Sequence, residues 1–161
     1  MRRARVIGCG NPHAGDDAAG LLVAAALRDR VPEGVEVVEA GPASRVLDLL
    51  DGVDVAIVVD AVRSPGGERA PGTLVRAEAG PDGLPASLRS SLSSHGLGVA
   101  EAVALAAALG RAPRVVVHGV EAADVGVGSP PSAPVAAALP RLQAAVLADL
   151  RVPADAISCG P

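Results

Sequence analysis

Residues 54–62 read DVAIVVDAV, and between the two aspartates every side chain is apolar. Successive side chains of a strand point to opposite faces, so an unbroken apolar run leaves no face for water. Such a strand must be covered on both sides. This stretch alone predicts the central strand of a sheet sandwiched between two helical layers, and the rest of the chain has to supply those layers.

The rest of the chain alternates in the way this requires. ARVIG (4–8) reads as a short buried strand and DDAAGLLVAAALRDR (16–30) as a helix, with acids in its first turn and Arg in its last. VEVVEA (35–40) is a second strand, and ASRVLDLLD (43–51) has the apolar spacing of a short helix. RSPGGERAPG (63–72) is turn chemistry, and TLVRAEA (73–79) alternates as a half-exposed strand does. GLGVAEAVALAAALG (96–110) is an apolar helix, RVVVHGV (114–120) a buried strand, and APVAAALPRLQAAVLADL (133–150) a final helix in which Pro140 predicts a kink or break. The strand at 73–79 follows a turn region with no helix, so it is expected to be antiparallel to the others. The expectation is a single-domain three-layer α/β sandwich over 1–150, with a mainly parallel sheet and a tail over 151–161.

Composition narrows the functional classes. The chain has 161 residues, half of them hydrophobic, yet no Phe, Trp or Tyr, so Val, Leu, Ala and Ile must fill the core. The net charge is −4, all 14 basic residues are Arg, and they form no cluster. A nucleic-acid surface needs a basic stripe and commonly stacking aromatics, and both are missing. Cys9 and Cys159 stand at opposite ends and read as unpaired thiols of a reducing cytoplasm. The apolar run near the N-terminus breaks at Gly8, too soon for a signal peptide, and no run suits a bilayer. The expectation is a cytoplasmic protein without nucleic-acid or membrane partners.

The candidate chemistry begins with GNPHAGDD (10–17), the loop after the first strand, which holds the chain's only asparagine, Asn11. In open α/β sheets ligands bind beyond the carboxyl ends of the strands. Asp16 and Asp17, Asp60 at the end of the central strand, and His95 at the start of the 96–110 helix all fall there. A dinucleotide or S-adenosylmethionine site is one reading. GCG (8–10) supplies G-x-G and Glu39 an acid after the second strand, but His13 stands where the third glycine belongs. Two carboxylates at the helix start would also compete with phosphate for the same N–H groups. A structural reading makes Asp16 an N-cap, whose loss costs about 1 kcal/mol, and leaves Asp60 in need of a partner. A metal reading joins two carboxylates and one imidazole from three elements, a donor set suited to a divalent first-row ion with open positions. His13 is a candidate fourth ligand or substrate contact. His118 reads as a strand-end histidine bonded to a neighbour, and Cys9 as packing. Neither G-x-S-x-G nor H-E-x-x-H occurs.

VIGCGNPHAGDDAAG (6–20), VVDAV (58–62), APGTL (70–74), SSHGLGVAEAVALAAALG (93–110) and VVHGVE (116–121), in this order and spacing, resemble the hydrogenase maturation endopeptidases. These trim the C-terminal extension from the precursor of the nickel–iron hydrogenase large subunit. The resemblance implies a twisted five-stranded sheet flanked by helices. It also implies a metal-dependent endopeptidase in which Asp17, Asp60 and His95 bind the metal and carry catalysis, with Asn11, Asp16 and His13 in support. The metal it implies is nickel already carried by the substrate, with other divalent ions able to occupy the site in vitro, and the partner is the large-subunit precursor, met by a monomer. The chain departs from the family's usual pattern at Ala18, commonly Gly, and at His13, commonly apolar. The rival classes are a Rossmann-like nucleotide- or S-adenosylmethionine-binding enzyme and a non-catalytic metal-binding maturation chaperone.

Overall fold

The computed structural model describes residues 2–81, 83–86, 88–89, 98–111 and 113–151. Five strands form one sheet: β1 (Ala4–Cys9), β2 (Val35–Gly41), β3 (Val55–Val62), β4 (Leu74–Glu78) and β5 (Arg114–Glu121). Their order is β2-β1-β3-β5-β4. All neighbours are parallel except β4, which pairs antiparallel with β5, as its helix-free connection requires. The helices that pack on the sheet include α1 (Ala19–Leu27), α2 (Val46–Leu49), α3 (Val99–Ala108) and α4 (Ala133–Arg151).

The central strand meets the demand its sequence makes. Val55, Ile57 and Val59 pack on one face with Ala19, Val23 and Leu27 of α1 and with Val135, Ala138, Leu142 and Val146 of α4. Ala56, Val58 and Val62 pack on the other with Val46 of α2 and Val99, Ala102, Val103 and Ala106 of α3. The alternation along β3 therefore divides two hydrophobic cores, one on each face of the sheet.

A glycine lets one helix approach the sheet closely. A Cβ at Gly20 would overlap the carbonyl oxygens of Cys9 and Val59, so α1 lies directly against the sheet at that point. Pairing of β1 with β3 stops at Gly8–Val59, and β1 shifts register against β2 between Gly8 and Cys9. Since β2 and β3 flank β1 on opposite sides, the chain reverses its winding direction here, and a crevice opens at this switch point.

Three local expectations need correction. The first helix does not start at Asp16: residues Gly15–Ala18 form a 3-10 turn that precedes α1. The 43–51 helix is shorter, a 3-10 turn at Ala43–Arg45 followed by Val46–Leu49. The last helix runs unbroken through Pro140. The carbonyl deprived of its partner belongs to Ala136, which is exposed, so water can satisfy it while Ala138 and Leu142 hold the helix on the sheet. The tail expected over 151–161 lies outside the described residues, apart from Arg151, which ends α4.

Candidate functional site

The crevice at the switch point has a volume of about 410 Å³ and is lined by Cys9, Gly10, Asn11, Pro12, Asp17, Gly41, Pro42, Ala43, Asp60 and Gly98. The GNPHAGDD loop forms one wall. At Gly10 the chain leaves β1 with φ +135, and a Cβ there would overlap the Asp17 carbonyl. Only glycine fits this turn. Asn11 accepts the His13 N–H at 2.9 Å through Oδ1 and donates its own N–H to Asp17 Oδ2 at 3.0 Å. Asn11 thus holds the loop through a side-chain bond to the backbone two residues on.

The same loop shows why phosphate is excluded. Gly10 donates to Gly41 O, Ala14 to Asn11 O, Gly15 to Ser129 O, Asp16 to Asp124 O and Asp17 to Ala14 O. With the N–H groups of Asn11 and His13 also engaged, every N–H from Gly10 to Asp17 is committed within the protein, Pro12 having none. A pyrophosphate would have to break these bonds and displace a carboxylate as well.

The two adjacent aspartates go opposite ways. Asp17 lines the crevice. Asp16 is fully buried, with 0 % exposure, and makes no helix cap. Its Oδ2 accepts the N–H groups of Ala123 (2.7 Å) and Asp124 (3.0 Å) and the Ser132 hydroxyl (2.8 Å), and its Oδ1 accepts the Ser132 N–H (2.6 Å). Burial alone would raise its pKa, but these donors outweigh it and hold the carboxyl below its ordinary range. The capping role expected for Asp16 is therefore replaced by a clamp on a loop more than a hundred residues away.

Asp60 is 8 % exposed and stands on the β3 face that carries Val58 and Val62. Burial, then the negative charge of Asp17, push its pKa up to about 8 against one opposing N–H, that of Ala61. No cationic side chain pairs with Asp17 or Asp60 among the described residues. The crevice thus presents two carboxylates whose mutual repulsion calls for a cation, and carboxylate oxygens suit a divalent one. His95, the third expected ligand, lies outside the described residues. Among the described residues no three His, Cys, Asp or Glu side chains gather as a metal group.

Other candidates fall elsewhere. His13 is exposed and is not among the crevice-lining residues, though its carbonyl accepts the Gly128 N–H at 2.7 Å. His118 is buried on the far face of β5 and bonds Asp149 Oδ2 of α4 at 2.6 Å, the neighbour-bonded role expected of it, but away from the crevice. Arg76 of β4 completes that cluster through two bonds to Asp149, at 2.9 and 2.8 Å. Cys9 does not sit in the loop: it is the last residue of β1, buried and unpaired among the described residues, and it also lines the crevice. Burial, then Asp60 and Asp17, hold its thiol well above the ordinary range. The signal for this was its parity: two residues after Ile7, it shares the face of Val58. Cys159 lies outside the described residues.

With this geometry in hand, comparisons place the chain among known proteins. The sequence profile of the hydrogenase maturation proteases matches residues 22–149. The hydrogenase maturating endopeptidase HybD from Escherichia coli is 28% identical, with a TM-score of 0.79 and 92% of each chain covered. An endopeptidase from Escherichia coli solved in solution is 27% identical, with a TM-score of 0.80 and the same coverage of 92% on both sides. A [NiFe] hydrogenase maturation protease HycI from Thermococcus kodakarensis shares the fold at 24% identity, with a TM-score of 0.68 over 93% of each chain. No curated protein sequence is similar enough to count as a relative.

Proposed function

The chain belongs to the hydrogenase maturation protease family, and from that membership we propose that it removes the C-terminal extension of a nickel–iron hydrogenase large-subunit precursor, recognising nickel already inserted in that substrate. The observation that carries the reading is the pair of carboxylates, Asp17 and Asp60, facing one crevice at the switch point of the sheet. Asp17, Asp60 and His95 are the proposed ligands for the substrate's metal, with Asn11 holding Asp17 through its backbone N–H. Bound there, the ion supplies a Lewis-acidic centre for the scissile carbonyl. The chain's own part is to hold the two carboxylates together in a mostly apolar crevice, orient the peptide beside them and limit water. The same reading has the enzyme act as a monomer in the cytoplasm.

The test uses a nickel-loaded large-subunit precursor, the full chain and intact mass spectrometry. Loss of a C-terminal peptide is expected, and the nickel-free precursor should stay whole. Asp60→Asn and His95→Ala should each abolish processing while leaving the far-UV spectrum nearly unchanged. No cleavage of any loaded precursor would overturn the protease reading in favour of a metal-binding chaperone. Equal cleavage without nickel would overturn the recognition step.

A further inference from the structure

Asp16 poses a question that the proposed chemistry does not answer. A fully buried carboxylate is costly unless every lone pair is engaged. Asp16 meets that demand with four donors from Ala123, Asp124 and Ser132, and with no cationic partner among the described residues. All four come from one segment, and backbone bonds continue the seam. Gly15 donates to Ser129 O, Asp16 to Asp124 O, and Gly128 to His13 O. The loop over 122–132 is thus sewn to GNPHAGDD along its length.

Asp17, by contrast, has one hydrogen bond to its carboxylate among the described residues, from the Asn11 N–H. Its direction is therefore set mainly by the backbone that carries it. That backbone is the 3-10 turn Gly15–Ala18, in which consecutive side chains are rotated by about 120°. Once Asp16 is locked into the 122–132 loop, the turn cannot rotate and Asp17 is directed to the crevice. An apolar side chain could fill the Asp16 site, but it could not fix the turn's rotation against four directional donors.

We propose that Asp16 is a positioning residue: by clamping the 122–132 loop through Ala123, Asp124 and Ser132, it holds the Asp17 carboxylate at the crevice for the metal-bearing substrate. This rests on the reading of Asp17 as a ligand. The loop matters to the site although none of its residues lines the crevice.

The test measures binding of Ni²⁺ alone to the full chain by calorimetry, alongside kcat and KM for precursor cleavage. Asp16→Asn turns one acceptor into a donor facing a donor. It should weaken Ni²⁺ binding by about tenfold or more, as outer partners of metal ligands do. Ser132→Ala, which removes one of the four donors, should shift binding the same way by less, and Ser132→Thr should restore it. Val146→Ala in the α4 core serves as a control: it should lower thermal stability while leaving Ni²⁺ affinity unchanged. If Asp16→Asn does not fold, the Ser132 pair decides. Wild-type affinity in Asp16→Asn and Ser132→Ala, with binding lost in Asp60→Asn, would overturn the proposal and leave the ligand reading standing. If the wild type binds no Ni²⁺, the ligand reading falls and this proposal falls with it.

Discussion

At the residue scale, the adjacent Asp16 and Asp17 share a charge and little else. Asp16 accepts four hydrogen bonds in a fully buried position, whereas Asp17 looks into the crevice. Asp16→Ala would leave those donors without their acceptor. The expected loss is about 3 kcal/mol, well beyond a missing cap, because unsatisfied buried donors bear their full desolvation penalty. Urea denaturation checks this, and a loss near 1 kcal/mol, no more than a missing cap costs, would mean that the four donors find other acceptors when Asp16 is removed. Gly20 supports a second expectation of this kind. Gly20→Ala places a Cβ on the carbonyls of Cys9 and Val59, so α1 must lift from the sheet. A destabilisation of about 2 kcal/mol or more is expected in the same measurement. Neither effect can be seen in the sequence itself, where Asp16 precedes a helical run and Gly20 sits inside one.

At the element scale, α4 is joined to the antiparallel edge of the sheet by polar contacts as well as apolar ones. Its Asp149 receives both Arg76 of β4 and His118 of β5. Burial lowers the His118 pKa below its ordinary 6.5 despite the opposing carboxylate of Asp149. As pH falls through 6.5 the unfolded chain therefore takes up this proton before the folded one does. This contribution to stability should decline over that interval, and it is fully present above it. Asp60, raised to about 8, takes up its proton in the folded state first and acts in the opposite direction over the same interval. The His118 contribution is therefore read as a difference: between pH 7 and pH 5 the urea midpoint of the wild type should fall relative to that of His118→Gln. The comparison stays above the range where Asp16, Glu121 and Asp149, whose pKa values are all depressed, begin to protonate. Pro140 makes a second point about this helix. It stays in an unbroken run because its missing bond faces solvent. Pro140→Ala should therefore stabilise, by about 1 kcal/mol, by restoring that bond at an exposed site.

At the scale of the whole molecule, two cores on opposite faces of one sheet hold the ends of β1 and β3 side by side, and the crevice is where they part. A divalent ion bound between Asp17 and Asp60 should stabilise the entire fold by linkage. Ni²⁺ at a hundred times its dissociation constant should add about 2.7 kcal/mol, read as a rise in melting temperature that Asp60→Asn abolishes. No shift in the wild type would count against Asp17 and Asp60 as ligands, as an absence of calorimetric Ni²⁺ binding would. Much of this architecture was legible in the sequence. DVAIVVDAV demanded cover on both faces, and the helix-free connection before Leu74 required the antiparallel strand. Hydrophobic periodicity is local, so it marks elements, faces and the strand ends where polar side chains can collect. That made Asp17 and Asp60 readable as neighbours of one crevice. Which of two consecutive aspartates would face it was decided only by the 122–132 loop returning to the first one. The same holds for His118, drawn to Asp149 instead of the crevice. These assignments depend on donors and acceptors far apart along the chain, and hydrogen bonds of that kind exist only once the sheet has brought their loops together.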